Sequence, residues 1–273
     1  MIVSRQAKER RAYASALFKQ LVITDFKLRY QGSALGVLWS VLKPLFLFAI
    51  LYVVFDKFLN LGRDIEHFPV YLLLGIVLWT FFLESTVQGM QSIVARGDLI
   101  RKINFPKSII IISATVSALI NLGINLMVVI VFMVINQVDF GWSSLWIIPI
   151  IAELYVLALA IAFLLASVNV KYRDFGYLWE IFLQAMFYAT PIIYPLQMVA
   201  AQSSVAAGAL LLSPVAQIIQ DARHALVTDD TMTLWNTVDT VWLRFTPFII
   251  IVVIAVFAFL LFKRNSKKFA EQL

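Results

Sequence analysis

Residues 109–135 read IIIISATVSALINLGINLMVVIVFMVI, an apolar run with no charged side chain. A helix needs about 20 apolar residues to cross a bilayer, so a run of this length is a membrane span. Just before it, residues 97–108 read GDLIRKINFPKS, where Arg101, Lys102 and Lys107 crowd together. Working outward, five more stretches have the character of spans, near Leu35–Leu59, Phe68–Met90, Leu145–Val168, Tyr177–Pro195 and Phe245–Phe262. Residues 196–242 hold only short apolar runs, such as LLLSPVAQII, predicted to dip into the bilayer without crossing it. The expected fold is an all-α integral membrane protein, residues 1–273 forming one domain of six transmembrane helices.

Composition agrees. Hydrophobic residues make up 62% of the 273, charged residues 14%, and mean hydropathy is +0.88. A soluble domain carries nearer a quarter of its residues charged. With no cysteine there is no disulfide, thiolate nucleophile or Cys-based metal site. The two histidines, His67 and His224, fall in polar connections and read as surface residues.

Charge orients the spans. Of the 22 Lys and Arg residues, 17 lie before Leu35, between Arg96 and Lys107, at Lys171 and Arg173, or after the last span. Positive-inside bias places these segments, and both termini, in the cytoplasm. The first 30 residues lack the apolar stretch of a cleavable signal, so the first span is expected to target the chain.

Residues 5–30 are predicted to form an interfacial helix. Leu17, Phe18, Leu21, Val22 and Phe26 share one face, with Lys19, Gln20, Thr24 and Lys27 opposite. In residues 97–107, Asp98 is placed to cap a short helix and Pro106 to stop it. Leu99, Ile100 and Ile103 then form a small apolar face beside Arg101 and Lys102. So short a helix is unstable alone in water. It either docks into a partner or lies on the lipid surface as a basic anchor.

No catalytic constellation appears. Gly32-Ser-Ala-Leu-Gly36 runs on into Val37, without the lysine of a phosphate-binding loop, and reads instead as a small-xxx-small entry to the first span. No acidic group or histidine pair has metal-ligand spacing, and nothing points to nucleic acid. Four charges fall inside the spans: Lys43, Glu84, Glu153 and Glu180. Such residues are costly in hydrocarbon and find partners, water or an interface. Glu180 reaches the cytoplasmic surface and Glu153 stands alone. Lys43 and Glu84 lie at matching depth on adjacent antiparallel spans and form a candidate intramembrane pair. The competing reading sends Lys43 to the headgroups and leaves Glu84 protonated or facing water.

LGVLWSVLKPL (35–45), LIRKINFPKS (99–108) and NVKYRDFGYLWEIFLQAMFYATPIIYP (169–195) together resemble the permease subunits of bacterial ABC exporters for lipid-linked surface polysaccharides, the O-antigen and teichoic-acid exporters. The resemblance covers nearly the whole chain. It implies a homodimer that forms a channel in the cytoplasmic (inner) membrane above two copies of a separate ATPase subunit. That partner would hold ATP and Mg; this chain would need no cofactor of its own and carry no catalytic residue. It also implies that Asp98, Leu99, Ile100, Arg101, Lys102, Ile103 and Phe105 form the coupling helix seated on the ATPase. Lys171, Arg173 and Asp174 would make a second contact, and residues 196–242 would cap the outer end of the channel as re-entrant helices.

Aromatic rings offer a sugar chain both an apolar body and a polar handle. Phe182, Phe187, Tyr188 and Tyr194 in the fifth span and its exit are candidates for the channel wall, against ordinary helix packing as the alternative. Two other functions share parts of the pattern. One is an ABC permease for another lipid, drug or ion; the other is a membrane enzyme of lipid-linked sugar metabolism.

Overall fold

The computed structural model describes the backbone of residues 2–33, 35–62, 65–103 and 105–272, and within these the side chains of all but 2–11, 28–30 and 270. Every regular element among the described residues is helical. The long helices are α1 (Ile2–Tyr30), α2 (Leu38–Tyr52), α3 (Phe68–Ala95), α5 (Ser108–Ile135) and α6 (Ile147–Asn169), with α13 (Thr246–Asn265) near the end of the chain. Between them lie α4 (Gly97–Lys102), α7 (Phe175–Ala189), α8 (Leu196–Gln202), α9 (Ser204–Leu211), α10 (Pro214–Leu226), α11 (Leu234–Thr237) and α12 (Val241–Arg244), and α14 (Phe269–Gln272) follows α13.

Five helical segments are long and apolar enough to cross a membrane: Leu38–Phe58, Phe68–Ala95, Ser108–Ile135, Trp142–Asn169 and Thr246–Asn265. The central one is α3, with 78% of its apolar window buried inside the protein against 17% for the first segment. It packs on α5 and α6, and α6 in turn on α13. The expected fifth span is shorter than Tyr177–Pro195. Its helix, α7, has 15 residues and stops at Ala189, because Thr190 turns extended before Pro191, which has no N–H to continue the ladder. A helix of that length rises only about 23 Å, short of a 30 Å hydrocarbon core.

The stretch after α7 folds into the short helices α8 to α12. Ser213, extended ahead of Pro214, breaks α9 from α10, and the two helices meet at 98°. Taken together they are apolar and long enough to enter a bilayer as a broken segment. Leu196, Ala207, Leu211 and Leu234 make a small core of their own, while α10 docks against α3, α6 and α13.

One local expectation changes. Gly32 and Gly36 are not a packing motif: their φ angles are +79° and +51°, and a Cβ on either would meet nothing within 4 Å. They shape the loop into α2, since glycine enters the left-handed region without strain. Pro44 lies within continuous α-helix, and the departure from regular geometry comes later, in a π-helical turn over Val53–Phe58.

Candidate functional site

The basic segment that precedes α5 does form a helix, but the surroundings reassign its residues. Asp98 does not cap it. The helix begins at Gly97 with Arg96 in the cap position, so Asp98 sits exposed inside the first turn with no cap hydrogen bond to make. The helix ends at Lys102, four residues short of Pro106, and Ile103 is extended. Ile103 therefore leaves the face that Leu99 and Ile100 share. Ile100 and Phe105 are buried in a cluster with Leu21, Ile93, Phe262 and Phe269 of the same chain, and Leu99 packs at its edge. What faces outward is Asp98, Arg101, Lys102 and Ile103, the last 37% exposed.

Four segments hold this helix in place. Arg96, at the end of α3, forms an ion pair with Asp25 of α1 and donates to Ser113 Oγ of α5 at 3.3 Å. Ser113 in turn donates to the second Asp25 oxygen at 3.4 Å. The apolar side of α1 is thus directed at protein rather than only at headgroups, with Leu21 buried. From the C-terminal side, α14 packs on α4. Lys107 donates to the Ser266 carbonyl and lies 5.8 Å from the centre of the Phe269 ring. Burial pushes the Lys107 ammonium below its usual pKa, and the charge of Glu271 partly offsets this. A helix too short to persist alone is made rigid by these contacts. Asp25 had a sequence signature that composition overlooks: it continues the Leu17–Leu21 spacing, so an acid stands on the apolar face of a basic helix.

The second expected contact, Lys171, Arg173 and Asp174, lies exposed in the turn between α6 and α7. Helix α7 then leans on α3. Trp179 Nε1 donates to Thr86 Oγ1 at 3.1 Å, and the Phe187 ring lies 5.9 Å from that of Trp79. Phe187 is half-buried by this packing, and Tyr194 donates back to the Ala189 carbonyl at 3.1 Å. Of the four aromatic candidates, Phe182 and Tyr188 face outward, 49% and 61% exposed. Leu183 is the one buried residue of α7, and α2 buries only Pro44 and Phe48. These two helices present largely uncovered apolar faces.

Glu84 accepts a hydrogen bond from Asn121 Nδ2 of α5 at 2.9 Å, while Lys43 is exposed on α2. A neutral amide on α5 is thus one partner of Glu84.

By charge pattern Arg223 is one of the five basic residues outside the 17 that orient the spans. It is fully buried. Its guanidinium donates to the carbonyls of Tyr71, Pro191 and Ile192 and to Gln220 Oε1, and lies 3.6 Å from the Tyr71 ring centre. The break after α7 exposes carbonyls that no helix N–H can reach, and Arg223 satisfies two of them while fastening α10 to α3.

A protein of this plan, with a stiffly mounted basic helix at one end and a broken helix pair at the other, can be compared with known families. A family model described as "ABC-2 type transporter" matches residues 16–227. The chain belongs to the ABC-2 transporter membrane family. It is similar to proteins named "O-antigen export system permease protein RfbA": one from Klebsiella pneumoniae, 32% identical over 67% of this chain and 71% of that protein, and one from Myxococcus xanthus, 29% identical over 69% and 72%. Membership makes this a multi-pass membrane transport subunit.

Proposed function

We propose that the chain is the channel-forming permease of an ATP-driven exporter that moves a lipid-linked surface polysaccharide across the cytoplasmic membrane. It works as a homodimer with two copies of a separate ATPase, and both termini lie on the ATPase side. The partner binds ATP and Mg and supplies the hydrolysis. The observation that carries the reading is the mounting of α4: a short helix with Asp98, Arg101, Lys102 and Ile103 outward, braced by α1, α3, α5 and α14. A movement of the ATPase that displaces such a helix is passed to the bundle instead of being absorbed locally. The names of the related permeases support a glycan cargo for this chain.

Lys171, Arg173 and Asp174 form the second contact to the ATPase. Phe182 and Tyr188 supply the aromatic wall along which sugar rings slide, with Phe187 and Tyr194 behind them as support.

The test is reconstitution of the permease with its ATPase. Ile103→Asp, and separately Arg101→Glu with Lys102→Glu, are expected to assemble in the membrane yet lower polymer export about tenfold or more, the factor that loss of about 1.4 kcal/mol of docking energy produces. Undiminished export with normal ATPase stimulation in Ile103→Asp would remove α4 from the interface.

A further inference from the structure

The end of the bundle opposite α4 holds a cavity of about 700 Å³ between α6, α10 and the segments that lead into α6, α11 and α13. Its walls are apolar and aromatic, with Trp146, Ile150, Trp235 and Phe248 among them, and its polar groups are chiefly Glu153, Asp221 and His224. Glu153 does not stand alone after all. One face of α10 carries Gln217, Asp221 and His224 at spacings of four and three residues, turned towards α6. Gln217, 1% exposed, donates to Asp221 Oδ2 at 2.6 Å, and Glu153 of α6 lines the same cavity as Asp221.

Three further oxygens and a ring nitrogen are buried there with no protein partner among the described residues: Glu153 Oε1, Asp221 Oδ1, Gln217 Oε1 and His224 Nδ1. Neither lysine nor arginine lines the cavity. Arg223, next to His224 in sequence, faces α3 with its donors taken. A buried carboxylate with neither lysine nor arginine beside it is costly, and these two acids with the unpartnered Gln217 oxygen form an acceptor-rich floor that a ligand cation would stabilise. No group of three His, Asp or Glu among the described residues is placed to hold a metal ion. The complementary guest is therefore an organic cation.

The surroundings identify its source. Trp142, Trp146, Trp235 and Trp242 are all exposed at this end of the bundle. Tryptophans gathered at one level mark the headgroup zone of a bilayer. A cavity that opens there, apolar at the walls and anionic at the floor, suits the head and upper chains of a lipid. Aromatic faces also attract an ammonium ion directly. We propose that this cavity is a binding site for a phospholipid with a primary-ammonium head, its ammonium seated on Glu153 and Asp221 and its chains along Trp146, Ile150 and Phe248. The site is independent of the transport reading, since it requires neither an ATPase nor a glycan.

The experiment uses the full chain embedded in vesicles of equal parts phosphatidylethanolamine and phosphatidylglycerol, extracted gently, with the retained lipids counted by mass spectrometry. The wild-type chain is expected to retain phosphatidylethanolamine over phosphatidylglycerol in a ratio of about 5:1 or more, the preference that about 1 kcal/mol of ammonium recognition provides. Glu153→Gln combined with Asp221→Asn is expected to return the ratio to that of the vesicle. Ser143→Trp, which fills the exposed mouth and leaves both acids in place, is expected to do the same, so the test survives a poorly folding double variant. Retention of the two lipids in their vesicle ratio by the wild-type chain overturns the proposal. So does enrichment that persists in both variants, or displacement of the retained lipid by a soluble oligosaccharide, which would make the cavity a sugar site.

Discussion

At the scale of single residues, Arg223 shows how a charge can be structural. Four hydrogen bonds, all to oxygens of uncharged groups, and the Tyr71 ring surround its guanidinium. Arg223→Met removes the donors and leaves buried carbonyls of Tyr71, Pro191 and Ile192 unsatisfied, each at a cost of about 1–3 kcal/mol. The expected result is a large fall in the thermal stability of the purified chain; a variant as stable as the wild type would show that water replaces the side chain. Gly75 makes the same point from the opposite wall. A Cβ there would lie 2.5 Å from Arg223 Nη2, so Gly75→Ala should force the guanidinium from its seat and mimic, more weakly, the loss of Arg223. Asp25 and Arg96 form the other residue-scale device. Asp25→Asn is expected to cost about 1–3 kcal/mol, and combining it with Arg96→Met should cost less than the two separate losses added together. Strictly additive effects in that cycle would show the two groups to be energetically independent.

At the scale of elements, α4 divides its residues between two jobs, and the division separates two phenotypes. Phe105→Ala empties a buried site and is expected to cost about 3–5 kcal/mol of stability, seen as poor assembly and early thermal unfolding. Ile103 lies outside the buried cluster, so Ile103→Asp should change unfolding far less than Phe105→Ala while export falls. If Phe105→Ala proves stable and only uncouples, then the ring belongs to the interface and not to the interior cluster. Helical spacing alone could not have made this assignment. Leu99, Ile100 and Ile103 form one face only while the helix runs on, and here it ends at Lys102. Which apolar side chains turn inward then depended on α14 and α1, segments about 170 and 75 residues away in the chain.

At the scale of the molecule, α2 and α7 leave most of their apolar side chains without a covering helix. Lipid or a second copy can cover them, and the proposed homodimer would place them at its seam. The absence of native cysteine allows a clean test. Single Ile181→Cys chains on α7 are expected to cross-link into dimers under mild oxidation, whereas Ile130→Cys on the exposed side of α5 should not. Equal cross-linking at both positions, or none at α7, would place the seam elsewhere. Tyr188→Ala and Phe182→Ala should lower polymer export more than assembly or basal ATP hydrolysis. Phe187→Ala, which loses its packing on Trp79, should instead act first on stability.

The apolar runs and the basic segments between them were legible without coordinates, because the bilayer imposes length on a span. Family membership was legible for a similar reason: its motifs are local strings in a fixed order. Tertiary structure alone decided that Arg223 is a buried clamp, that Glu84 meets Asn121, that Glu153 shares a cavity with Asp221 and His224, and that the acid on α1 holds the end of α3. Each of these joins residues on different helices. Hydrophobic periodicity gives the side of a helix that turns inward, but it carries no information about which helix lies against that side or at what height. Polar pairing in a membrane protein depends on both, since a charge in hydrocarbon takes whichever acceptor or donor the packing of the bundle brings within about 3 Å.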